Sequence, residues 1–173
     1  MKKQQAKNSP VRCAFASPLG AMTLAATDQG LSGLWFDGQK HMPDTSFWAV
    51  QDDHPVLLQA QQALRQYFAG QRQPFELPLD LDQGTPFQQQ VWRRLLDIPA
   101  GQTISYGTLA AQIGRPTAVR AVAAAVGRNP FSIVVPCHRV IGADGALTGY
   151  AGGLPRKVAL LQGEAAMAVT IAA

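Results

Sequence analysis

The segment Ile133-Val134-Val135-Pro136-Cys137-His138-Arg139-Val140-Ile141 is an apolar run broken at its centre by a proline, a thiol, an imidazole and a guanidinium. Its valines and isoleucines read as a buried strand, so the polar side chains between them are carried inside and must find partners there. Any fold open to this chain has to meet that demand. A cysteine beside a histidine, with Cys13 the sole other cysteine, has two readings. It is an inert buried thiol or an activated nucleophile, and the pair alone does not separate them.

Composition narrows the classes. A chain of 173 residues holds one ordinary domain or two small ones. With 47% hydrophobic and 15% charged residues it is globular rather than disordered or fibrous. No apolar run approaches the roughly 20 residues of a membrane span, and no signal-like apolar stretch follows the basic start. The expected setting is cytoplasmic, where Cys13 and Cys137 stay reduced. Charge is uneven. From residue 86 onward eight Lys/Arg face three acids, a balance of +5, while residues 1–85 carry seven against eight, or −1. The half that carries the Cys-His pair is therefore the one suited to a polyanion.

In chain order, residues 11–16, 21–26 and 31–36 read as three short strands joined by turns at Ser17-Pro18-Leu19-Gly20 and Asp28-Gln29-Gly30, a small antiparallel meander. Residues 37–53 read as loop. His54-Pro55 opens a helix whose apolar positions, Leu57, Ala60, Leu64 and Tyr67 among them, keep helical spacing until Gly70. The spacing predicts an α+β unit over residues 1–80, a linker at 81–84 and a mostly helical unit over 85–173. In that second unit Thr85-Pro86-Phe87-Gln88 is a capping box with proline at the first helical position. Ser105 caps a short helix through Ile113, Gly114 turns the chain, and Pro116 starts another helix ending near Gly127. Such a pair is either a plain αα-hairpin or a winged-helix-like helix-turn-helix. Arg120, the one charge on the alanine-rich second helix, in the basic half of the chain, favours DNA contact. A last helix is expected over residues 155–161, followed by a loosely packed apolar tail.

Pro136-Cys137-His138-Arg139-Val140 resembles the active-site signature of the O6-alkylguanine-DNA alkyltransferases. The likeness runs on through Ile104-Ser105-Tyr106, Arg120-Ala121-Val122, Asn129-Pro130, Tyr150-Ala151-Gly152-Gly153 and Glu164, in the family's order and near its spacing. It implies DNA repair by a single-turnover transfer of the alkyl group from O6-alkylguanine, and in some cases O4-alkylthymine, to Cys137. Within that resemblance His138 is the base acting through a bridging water, Glu164 orients it, Tyr106 protonates the departing guanine, and Asn129 braces the site. Arg120 is the finger that fills the place of the extruded nucleotide. Thr117, Ala121, Arg128 and Arg139 are expected to contact DNA, and Tyr150, Ala151, Gly152 and Val140 to wall the base pocket. No cofactor is implied, and the expected partner is double-stranded DNA bearing the lesion, bound by a monomer.

The chemistry suits those residues independently. Removing an alkyl group from oxygen is displacement at carbon, which favours a soft nucleophile, and a thiol of ordinary pKa about 8.5 gains from a nearby base. Two features depart from the family pattern. Ala123 and Ala124 stand where many relatives carry glycine, and Ala151 replaces a serine found in some members. Some relatives bind zinc in the first unit, but Cys13, His41 and His54 lack ligand-like spacing and no metal is expected.

Overall fold

The computed structural model describes residues 9–71 and 74–172, with side chains as far as residue 166; the basic tail over residues 1–8 lies outside the described residues. The meander forms as expected from β1 (Val11–Ser17), β2 (Gly20–Thr27) and β3 (Gly30–Phe36), paired antiparallel. The Ser17 hydroxyl donates to the Gly20 carbonyl at 2.6 Å and accepts from the Leu19 amide at 3.1 Å, closing the first turn locally. The loop expected over 37–53 contains one further element. β4 (Ala49–Val50) pairs parallel with β1, so the sheet is mixed, in the order β3-β2-β1-β4. Helix α1 (Pro55–Phe68) covers this sheet with Leu57, Ala60, Leu64 and Tyr67, and the His54 ring nitrogen caps it by accepting from the Val56 amide.

The outer edge of β3 is where the two halves meet. Leu31 exchanges backbone bonds with Pro78 and Asp80, both at 2.8 Å, and Leu34 donates to Pro130 and accepts from Ser132 at 2.8 and 2.9 Å. An edge strand with free N–H and C=O groups is thereby covered by the segment just before the linker at one end and by the second unit at the other. Buried side chains from both halves, among them Leu34, Phe36, Leu64, Phe131 and Val135, form one continuous core.

The second unit begins at α2 (Pro86–Leu95), with the Thr85–Gln88 capping box formed in both directions, a feature worth about 1 kcal/mol. Trp92 anchors it by donating from its indole to the Ala125 carbonyl at 2.9 Å. Then come β5 (Ile104–Ser105), α3 (Tyr106–Gln112), α4 (Val119–Gly127), β6 (Val140–Ile141) and α5 (Leu154–Ala172), with β5 and β6 parallel. Ser105 caps α3, and Gly114 turns the chain at φ +75. The second helix of the pair starts later than expected. Pro116 and Thr117 lie at the centre of a turn closed by the Ala118 amide on the Arg115 carbonyl at 2.9 Å, which suits proline better than a helix start here. The last helix also exceeds its expected end, continuing past Leu161 through the apolar tail and carrying Glu164.

Candidate active site

The Cys137 segment is a strand only at its end, in β6. Between Phe131 and Val140 the chain makes two three-residue turns in succession. The Val134 amide donates to the Ser132 carbonyl at 2.8 Å around Ile133, and the Cys137 amide donates to Val135 at 2.8 Å around Pro136, whose φ −81 and ψ 65 are those of an inverse γ-turn. Ile133 sits at φ 73, a costly place for a β-branched residue. A single 3-10 turn, Cys137–Arg139, follows. Asn129 holds this path from inside. Its amide nitrogen donates to the carbonyls of Val135 at 2.7 Å and Phe131 at 3.3 Å, its oxygen accepts from the Phe131 amide at 2.9 Å, and it also reaches the Cys137 sulfur.

The turn sends its three polar side chains to different neighbours. Cys137 lines a cavity of about 490 Å³ together with Tyr106, Arg120, Ala123 and Tyr150. His138 is fully buried behind it, and its Nε2 is 2.6 Å from Glu164 Oε1. Burial alone would raise the Glu164 carboxyl, but hydrogen bonds from His138 and Arg139 outweigh it and hold the pKa at about 2. Glu164 is thus a carboxylate and Nε2 carries the proton. Burial in turn keeps His138 below its ordinary value, so the ring is neutral and its Nδ1, which has no hydrogen-bond partner among the described residues, is the free base nitrogen. Burial pushes the Cys137 thiol up, while Asn129 and Lys157 pull it back.

Arg139 departs from its expected role. Its guanidinium grips Glu164 in two parallel bonds of 2.9 and 2.8 Å and donates to the Ile98 carbonyl at 2.6 Å. It is buried in an ion pair rather than offered to DNA, because a carboxylate this deep needs a cation beside it. Val140 and Gly152 stand behind the cavity rather than on its wall. Val140 is fully buried, and a Cβ on Gly152 would fall 2.8 Å from the Tyr150 ring and 3.0 Å from Phe36, so glycine lets Tyr150 seat. Arg120 is exposed on α4 and makes no ion pair or hydrogen bond among the described residues; Thr117, Ala121 and Arg128 are exposed as well, though none of the three lines the cavity. Tyr106 donates to the Thr148 carbonyl at 3.3 Å, and burial raises its pKa, so it keeps its proton.

Two residues of the site escaped the sequence reading. Lys157 is fully buried on α5, its ammonium donating to the carbonyls of Val140 at 2.7 Å and of Thr148 and Gly149 at 3.2 Å. Burial lowers its pKa. Its signal was spacing: Lys157, Leu160 and Glu164 share one helical face, and that face points inward. Tyr67, from α1, donates to Glu164 Oε1 at 2.8 Å. Burial first, then Glu164, raises its pKa, so it remains a donor; nothing in its own helix distinguishes it from an ordinary core aromatic.

Comparison with known proteins points to one family. Residues 12–81 match the family model described as 6-O-methylguanine DNA methyltransferase, ribonuclease-like domain, and residues 86–166 match the one described as 6-O-methylguanine DNA methyltransferase, DNA binding domain. A methylated-DNA--protein-cysteine methyltransferase of Mycobacterium bovis is 50% identical over 84% of this chain and 87% of its own length. The chain belongs to the 6-O-methylguanine DNA methyltransferase family. A crystal structure of Mycobacterium tuberculosis OGT in complex with DNA superposes with TM-score 0.83 at 46% identity, covering 91% of this chain and 94% of that one. The O6-methylguanine-DNA methyltransferase of Pyrococcus kodakaraensis is more distant, at TM-score 0.65 and 27% identity over 90% of this chain and 98% of that one. As a methyltransferase of this family, the chain pairs a small mixed sheet with a helix-turn-helix unit, the α+β architecture its sequence implied. Among the described residues no three His, Cys, Asp or Glu side chains group as a metal site. Cys13 accepts from Gln61 at 3.2 Å within the first unit, His54 caps α1, and His41 lies at the cavity mouth.

Proposed function

We propose that this chain repairs DNA by moving the alkyl group of an O6-alkylguanine, extruded from the duplex, onto the Sγ of Cys137, once per molecule. The observation that carries the reading is the Cys137 sulfur on the wall of a base-sized cavity shared with Tyr106, Tyr150 and the arginine-bearing helix α4. His138, neutral and with Nδ1 unengaged, takes the thiol proton through a bridging water, and Glu164 stabilises the imidazolium that results. One S–C bond forms and the C–O6 bond breaks. Tyr106 supplies the proton that makes guanine a neutral leaving group, and the proton taken from the thiol balances it. Because a thioether resists hydrolysis, the sulfur keeps what it takes.

Extrusion costs a few kcal/mol, less for a poorly paired lesion. Arg120, uncompensated on α4, fills the vacated stack, and the small residues of α4 permit approach from the minor groove. Thr117, Ala121 and Arg128 contact the backbone. Lesion-bearing duplex DNA is the partner of a cytoplasmic monomer in this reading, and no helix among the described residues is long and apolar enough to cross a membrane. The test is to mix the protein with duplex carrying O6-methylguanine and weigh the Cys137 peptide by mass spectrometry. One added methyl is expected; an unmodified peptide from a protein that binds the duplex refutes transfer.

A further inference from the structure

The cavity is not built by the second unit alone. Lys40 and His41, from the segment after β3, line it together with α4. That segment is pinned to the second unit. The buried Gln39 side-chain oxygen accepts from the Ser132 hydroxyl at 3.0 Å and from the Phe36 amide at 2.9 Å, while the Lys40 amide donates to the Ala151 carbonyl at 3.1 Å. His41 takes a left-handed φ of 65, uncommon for a residue with a Cβ. It also borders a neighbouring hollow of about 250 Å³ whose other lining residues include Trp35, Trp92 and Arg128.

Charge makes this arrangement informative. Desolvation first, then the Arg128 and Lys40 charges, lower the His41 pKa, so the ring is neutral near pH 7 in the free protein. The acids of the same segment are engaged elsewhere, Asp37 by the Thr23 hydroxyl at 2.7 Å and Asp44 by Ser46 at 2.6 Å. Neither Lys40 nor Arg128 has a side-chain hydrogen bond or ion pair among the described residues. Lys40 and Arg128 both disfavour a proton on His41, and an anion lodged beside the three reverses that sign, engaging the two cations and drawing the ring into its protonated form.

We propose that Lys40, His41 and Arg128 form a phosphodiester-binding ridge that spans both units and grips the DNA strand beside the extruded nucleotide. This rests on the DNA-repair reading above. It makes the first unit part of the binding surface, with phosphate contacts that position the strand and carry no sequence information.

The test is the salt dependence of binding to duplex containing O6-methylguanine, for the wild type, K40A, H41N and the K40A/H41N double variant. Asparagine keeps the left-handed backbone accessible. R65Q, which removes an exposed cation on α1 away from the cavity, serves as the net-charge control. Each phosphate that a variant can no longer engage is expected to reduce the slope of log affinity against log salt by about 1. For every such phosphate, the variant's deficit relative to wild type should therefore shrink by roughly three-fold between 50 and 200 mM salt, with R65Q matching the wild type. If K40A/H41N keeps the wild-type slope while the wild type still accepts methyl on Cys137, the ridge is refuted and the repair reading stands. If R65Q lowers the slope as much, the effect is bulk charge and the ridge is refuted. If the wild type neither binds the duplex nor accepts methyl, both readings fall together.

Discussion

The mouth and the floor of the Cys137 cavity are both rich in cations, and they use them in opposite ways. At the mouth, the side chains of Arg120 and Lys40, and that of Arg128 beside the neighbouring hollow, have no hydrogen-bonded or ion-paired protein partner among the described residues. At the floor, Arg139 and Lys157 are buried, and their side chains donate to the Glu164 carboxylate and to the carbonyls of Ile98, Val140, Thr148 and Gly149. Exposed charge left without a partner is available to a polyanion; buried charge with partners fixes geometry. Residue type therefore says little here until depth is known. Arg120 and Arg139 differ in depth, and with it in partners: one has none among the described residues, the other is held by Glu164 and Ile98.

That division can be broken most decisively at its centre. Cys137→Ser should abolish transfer while leaving duplex binding intact, read by methyl incorporation beside a gel-shift titration; impaired binding would mean that the sulfur also shapes the mouth. Next in size is the floor. Glu164→Gln leaves Arg139 buried without its counter-charge, so about 3–5 kcal/mol of stability should vanish, read from urea denaturation, along with transfer. The same carboxylate sets a pH dependence. Its folded pKa of about 2 lies below the unfolded value near 4.5, so its contribution is complete above about pH 4.5 and declines as pH falls toward 2. Urea midpoints that stay flat across that window in the wild type, or fall equally in Glu164→Gln, would remove Glu164 from this role.

A smaller effect is expected at the mouth. Arg120→Ala should slow transfer from duplex by roughly ten-fold or more, since it gives up part of the few kcal/mol needed to offset unstacking. Reaction with free O6-methylguanine base should suffer less; equal losses on both substrates would dissociate Arg120 from extrusion. Smallest is Tyr67→Phe, which removes one hydrogen bond to Glu164 and keeps the ring. A loss of about 1–2 kcal/mol is expected. The rate-against-pH profile of transfer should also move, because Glu164 would then hold the His138 proton more strongly.

Local chemistry made much of this fold legible in advance. The Ser17–Gly20 turn, the Thr85–Gln88 box, the Ser105 cap and His54-Pro55 each act within a few residues, and each appears where the sequence set it. What escaped depends on distant partners. β4 is two residues long and exists through its parallel pairing with β1. The run ending at Val135 has strand composition, yet Ile133 and Pro136 coil it into tight turns braced by Asn129, because period alone does not separate a strand from other buried apolar backbone. Arg139 is expected at DNA and Lys157 is given no role from sequence, because their partners, Glu164 and the carbonyls of residues 140, 148 and 149, are assembled by α5 and by the segment before it. Tyr67 lies 97 residues from the carboxylate it touches.

The main-chain pairing of Leu34 with Pro130 and Ser132 means that the small sheet is joined to the reactive turn by backbone rather than by side chains alone. A strain on the meander would be felt within three residues of Asn129, and thus at the sulfur, with no flexible tether to absorb it. Cut apart, the halves would each display raw amide edges that seek a substitute, so the first unit is as much a splint for the nucleophile as a domain in its own right.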